Sequence, residues 1–92
     1  MAVTITIPTA LRQYAGGQSS VTLEAETVGA LLKGLVEQNP DLGKHLYSET
    51  GKLRSFVNIY VGDEDIRYLD GEDTVLKDGE TVSIIPAIAG GK

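Results

Sequence analysis

Val28, Leu31, Leu32, Leu35 and Val36 recur at i, i+3, i+4, i+7 and i+8, so this segment is an amphipathic helix whose apolar stripe needs a cover. The cover is strand-like. Val3, Ile5 and Ile7 alternate with Thr4 and Thr6, and Val21-Thr22-Leu23-Glu24 alternates again after Gly16-Gly17 and Ser19-Ser20, which predicts a hairpin with a long loop. Leu11 and Tyr14 tuck under that loop. Thr27 is the expected N-cap, and Asn39-Pro40 ends the helix because the residue before a proline is pushed out of helical geometry. Gly29 and Gly34 each cost the helix roughly 1 kcal/mol relative to alanine, which close packing on a sheet must offset.

Beyond the helix, Asp41 to Leu46 adds a short helical turn with Leu42 and Leu46 inward, and Ser48 to Arg54 reads as an exposed loop. Phe56 to Val61 is dense in β-branched and aromatic residues and is expected to be a strand buried on much of both faces. Gly62 to Asp65 is a turn, Ile66 to Leu69 a short strand, Asp70-Gly71 and Asp78-Gly79 turns, and Thr81 to Ile85 the last strand. The expected fold class is α+β, a β-grasp layout: a mixed sheet, one main helix packed on one face, the last strand beside the first. The expected core is Val3, Ile5, Val21, Leu23, Val28, Leu31, Leu32, Leu35, Val57, Ile59, Val82 and Ile84. One domain over 1–89, followed by a flexible tail over 90–92, accounts for 92 residues, a length that buries somewhat over ~60% of the unfolded surface.

Side-chain chemistry is sparse. There is no cysteine, so disulfides, thiolate metal sites and cysteine nucleophiles are excluded. His45, beside Lys44, reads as a solvated loop residue without a second ligand, and Asp63-Glu64-Asp65 lacks the spacing of a calcium loop, so no metal or bound cofactor is expected. No serine has a recognisable base and no phosphate loop precedes a helix, so the chain is not expected to be an enzyme. Thirteen Asp and Glu against eight Lys and Arg give a net charge of -5, which argues against nucleic acid and anionic membranes; it suits basic protein partners, or simply solubility. No secretory signal opens the chain, and the apolar run Ile84 to Ala89, broken by Pro86, is far short of the ~20 residues of a membrane span, so a cytoplasmic location is expected.

The final segment, Pro86-Ala87-Ile88-Ala89-Gly90-Gly91-Lys92, is the informative one. Two glycines can lie extended in a channel too narrow for other residues and bring a backbone carboxylate to a partner's catalytic atoms, although glycine is also common in frayed ends. With the element order above, the segment Phe56-Val57-Asn58-Ile59-Tyr60-Val61-Gly62-Asp63-Glu64-Asp65-Ile66-Arg67, the start Ile7-Pro8-Thr9 through Gly16-Gly17-Gln18, and this ending, the chain resembles the MoaD and ThiS family of ubiquitin-like sulfur carriers. The likeness is strongest to carriers that serve cysteine biosynthesis.

The resemblance implies a chemistry on the backbone. An ATP-dependent activating enzyme would adenylate the carboxylate of Gly91, and a sulfur donor would displace AMP to leave a thiocarboxylate; ATP belongs to that partner and the carrier binds no cofactor. Gly90, Ala89 and Ile88 would thread into the partner, unless Ile88 folds back on the core. Lys92 departs from the family pattern, since Gly91 has no free carboxylate while Lys92 remains. Gly91 and Lys92 therefore form the expected processing site of a peptidase, the alternative being that Lys92 is an added residue. The expected acceptor is a cysteine synthase, with molybdopterin or thiamin thiazole synthesis as alternatives. A modifier conjugated to lysines, and a plain interaction module without terminal chemistry, are readings of other classes.

Overall fold

The computed structural model describes residues 2–51, 53, 54 and 57–86. Five strands form one sheet in the order β2-β1-β5-β3-β4, with β1 Ala2–Thr6, β2 Ser20–Glu24, β3 Val57–Val61, β4 Glu64–Asp65 and β5 Thr81–Pro86. The alternation along β1 and β2 fixes their antiparallel register, Ile5 opposite Val21 and Val3 opposite Leu23, because a one-residue slip would turn every apolar side chain to the wrong face. β5 lies in the middle, parallel to β1 (Ile5 opposite Val82) and antiparallel to β3 (Ile59 opposite Ile84).

Helix α1 (Val28–Gln38) crosses one face, capped by Thr27, whose hydroxyl accepts a hydrogen bond from the Ala30 N–H at 3.1 Å. A second anchor holds its start: Val28 N–H donates to the Thr74 carbonyl at 3.1 Å. Asn39-Pro40 ends α1 as expected, and Pro40, tolerated in a first helical turn, immediately starts α2 (Pro40–Leu46) with Leu42 and Leu46 buried. Of the expected core, Leu23 is only partly buried and the other eleven residues are buried; Ile7, Ala15, Ala25, Leu42, Leu46, Ile66 and Leu76 join them.

The two α1 glycines find different neighbours. A Cβ on Gly34 would sit 3.5 Å from Leu23 Cδ1 of the sheet, whereas one on Gly29 would meet the Glu72 carbonyl at 3.1 Å. Gly29 thus serves the 3-10 turn Gly71–Asp73, not the sheet. The tightest approach is between helices, where a Cβ on Gly43 would lie 2.7 Å from Val36 Cγ1.

The long loop between β1 and β2 tucks Tyr14 and Leu11 against the core as expected, and does so with a 3-10 helix, Thr9–Ala15. Four expectations are corrected. Glu64–Asp65 is a short strand instead of part of a turn, and Ile66–Tyr68 is a 3-10 turn instead of a strand, because the Asp65 carboxylate accepts the Arg67 N–H at 2.9 Å and bends the chain. β3 is buried on one face only, Asn58 and Tyr60 being half-buried, since both helices lie on the other side; Phe56 falls outside the described residues. His45 is not a solvated loop residue: it belongs to α2, is half-buried, and stacks on Tyr14 with ring centroids 3.9 Å apart.

Candidate functional site

The expected site residues Ile88, Ala89, Gly90, Gly91 and Lys92 lie outside the described residues. What is described is the platform that launches them. β5 runs between β1 and β3, hydrogen-bonded on both sides, so the chain leaves the sheet from its centre. At this end the neighbouring segments are tied down. Arg12 Nε donates to the Ile7 carbonyl at 3.0 Å, and Val57 N–H donates to the Arg54 carbonyl at 3.0 Å.

Beside the exit lies the open face of the sheet. Its rows follow from the register: Thr22, Thr4 and Thr81 in one, Ser20, Thr6, Ser83, Tyr60 and Asp65 in the next, Ile85 beside Asn58 in the third. Hydroxyls dominate, and Thr4 and Thr22 share a hydrogen bond of 3.2 Å. Ile85 interrupts them, 46% exposed and next to the strand's last residue. A single exposed apolar side chain is ordinary on a protein surface, and what distinguishes Ile85 is its place beside the exit. Ile85 is not among the expected site residues, although Ile84-Ile85 carried the signal: adjacent strand residues cannot both face the core.

Charge is distributed unevenly along the sheet. Asp63 in the turn before β4, Glu64 at the start of β4, Asp78 and Glu80 in the turn before β5, and Glu24 opposite Ala2 all lie at the end remote from the exit, where Gly62 N–H meets the Thr81 carbonyl. Among the described residues no three of His, Cys, Asp or Glu converge to hold a metal ion, and no helix is long and apolar enough to cross a membrane. Tyr47, half-buried, donates its hydroxyl to Glu72 Oε1 at 3.3 Å; burial first, then the Glu72 charge and this bond, hold its pKa well above the usual phenol range. It stays a protonated donor linking the end of α2 to the turn at Gly71–Asp73.

Residues 5–91 match the ThiS family. The chain is 46% identical over 93 residues to the sulfur carrier protein CysO of Mycobacterium tuberculosis, covering 99% of this chain and all of that one. A chain of the Amycolatopsis orientalis BexX/CysO complex superposes with a TM-score of 0.87 at 40% identity, over 97% of this chain and 99% of that one. Small archaeal modifier protein 3 of Haloferax volcanii is 35% identical over 78 residues, 82% of this chain and 84% of that one. With the central parallel strand leading into Gly-Gly, these matches establish that the chain belongs to the ThiS family of ubiquitin-like sulfur carriers.

Proposed function

We propose that this carrier transports sulfur as a thiocarboxylate on Gly91, made after Lys92 is removed, and delivers it to cysteine synthesis. The observation that carries the reading is the full-length match to CysO together with β5, the central strand, whose last residue is separated from the Gly-Gly segment by only three residues in the sequence. The released Gly91 carboxylate attacks the α-phosphorus of ATP on a partner enzyme and pyrophosphate leaves. The donor's sulfur then attacks the acyl carbon and AMP leaves. A carboxylate resists nucleophiles until converted to an acyl phosphate, and glycine lets the partner's groups close around it.

The remaining chain supplies docking, with Ile85 and the hydroxyl rows as the contact face and Ile88, Ala89 and Gly90 as the threaded segment. The concentration of carboxylates at the remote end spares the exit from repelling an anionic nucleotide. ATP is consumed by the partner, no cofactor is held by the carrier, and the need for ATP suits a cytoplasmic protein. A peptidase acting between Gly91 and Lys92 completes the set of partners, with a cysteine synthase as acceptor. The BexX/CysO complex is a precedent for a relative engaging another protein.

The test is to incubate forms 1–92 and 1–91 with an activating enzyme, ATP and a sulfide source, and to weigh the products. The 1–91 form should exchange one oxygen for sulfur and the 1–92 form should not; conversion of 1–92 with Lys92 retained would overturn the reading. The relationship to small archaeal modifier protein 3 favours a second reading, conjugation of Gly91 to lysines of other proteins. Isopeptide-linked products in cells would support it, and full function after deletion of 90–92 would leave only an interaction module.

A further inference from the structure

On the helix side of the sheet, away from the open face, a cleft of about 330 Å³ is lined by Leu53, Arg54, Val57, Ile59, Ile66 and Arg67. It exists because β4 is two residues long. β4 pairs with Tyr60 and Val61 only, so among the described residues the outer edge of β3 from Val57 to Ile59 has no strand beside it, and the chain turns at Ile66 across the gap. Val57, Ile59 and Ile66 are buried and make an apolar floor.

Two arginines, Arg54 and Arg67, complete its lining. Arg54 donates Nε and Nη2 to the Lys44 carbonyl at 3.3 and 3.1 Å, which holds the group at the end of α2 and leaves further N–H donors unused. Arg67 Nε lies 3.6 Å from Asp65 Oδ1, and the described residues give its terminal nitrogens no hydrogen bond. Asp65 balances one of the two charges, so the lining remains cationic on a chain of net charge -5. Arginine forks select planar carboxylates, and the apolar floor selects what is attached to one.

The volume sits at the lower limit of small-molecule pockets, roughly 300–1,000 Å³, which suits a single side chain better than a nucleotide or a flavin. Position narrows the choice further. Val57 pairs with Pro86, so the cleft is one strand from the point where the chain leaves the sheet, within reach of a protein that holds the tail. We propose that this cleft captures the C-terminal apolar residue of a partner polypeptide, its side chain on Val57, Ile59 and Ile66 and its carboxylate on Arg67 and Arg54.

The experiment titrates isotope-labelled full-length chain with acetyl-Gly-Gly-Leu, with the same peptide as its C-terminal amide, and with isovalerate, following backbone amide resonances. The acid peptide should shift the residues lining the cleft, the amide should bind about tenfold more weakly, a loss of roughly 1.4 kcal/mol, and isovalerate should bind more weakly than the acid peptide. Arg67→Gln, at an exposed side chain, should weaken the acid peptide by a similar factor at unchanged melting temperature. Equal binding of acid and amide, shifts confined to other surfaces, isovalerate as tight as the peptide, or an Arg67→Gln variant with unchanged affinity would each overturn the proposal. Gly91 takes no part in this titration, so a negative result would leave the sulfur-transfer reading intact.

Discussion

On the helix side of the sheet Val3, Ile5, Ile59, Val82 and Ile84 lie buried, while on the other side Thr4, Thr6, Tyr60, Ser83 and Ile85 are half-buried or exposed. The residues alternate along the same strands, so nothing in backbone geometry separates the two sets. Their difference lies in what covers them. The first face is closed by α1 and α2 and supplies stability; the second is covered by no element among the described residues, and an exposed isoleucine lies on it in the strand leading to the tail.

Substitutions can break this comparison. Leu32→Ala empties a fully buried position and should cost ~2–5 kcal/mol in urea unfolding; a loss no larger than that of a surface substitution would show that α1 does not close the core. Gly43→Ala sets overpacking of ~1–3 kcal/mol against a helix-propensity gain of about 1 kcal/mol, so a modest net loss is expected. A net gain would mean that Val36 moves aside freely. Ile85→Thr keeps the β-branch, so stability should fall by less than about 1 kcal/mol while affinity for the activating enzyme drops about tenfold. A stability loss as large as that of Leu32→Ala would assign Ile85 to the core instead.

The smallest effect is expected at the periphery. Tyr47→Phe removes the bond to Glu72 and should cost less than about 1 kcal/mol at neutral pH. Because folding raises the Tyr47 pKa above the unfolded value of about 10, the protonated phenol's contribution is complete below that pH and is lost as the pH climbs through the folded value. The stability difference between the two proteins should therefore shrink in alkaline melts. A difference that widens above about pH 10 would contradict the assigned donor.

What could be read from the sequence follows what is periodic. β1, β2, β5 and α1 each carry a repeat long enough to define a face, and their burial follows it. Ile66 to Leu69 has no such repeat, and an aspartate side chain bonding two residues ahead decided its conformation. The stack of Tyr14 on His45 and the cleft between Arg54 and Arg67 were hidden for another reason: residues far apart in the chain meet only once the sheet is assembled. The tail chemistry is the converse case, visible in Gly90 and Gly91 and outside the described residues.

The pairing of β1 with β5 also governs when the molecule can form during translation. Ala2 N–H donates to Asp78 Oδ1 at 3.0 Å, Gly79 N–H to the Ala2 carbonyl at 2.8 Å and Thr4 N–H to the Glu80 carbonyl at 3.0 Å, so the earliest residues wait for some of the latest. Until Thr81–Pro86 leaves the ribosome, β1 and β3 have an empty lane between them, and contacts of such wide sequence separation form slowly. A nascent chain interrupted before that strand lacks the middle of its sheet and offers an activating enzyme no folded carrier to mistake for a finished one.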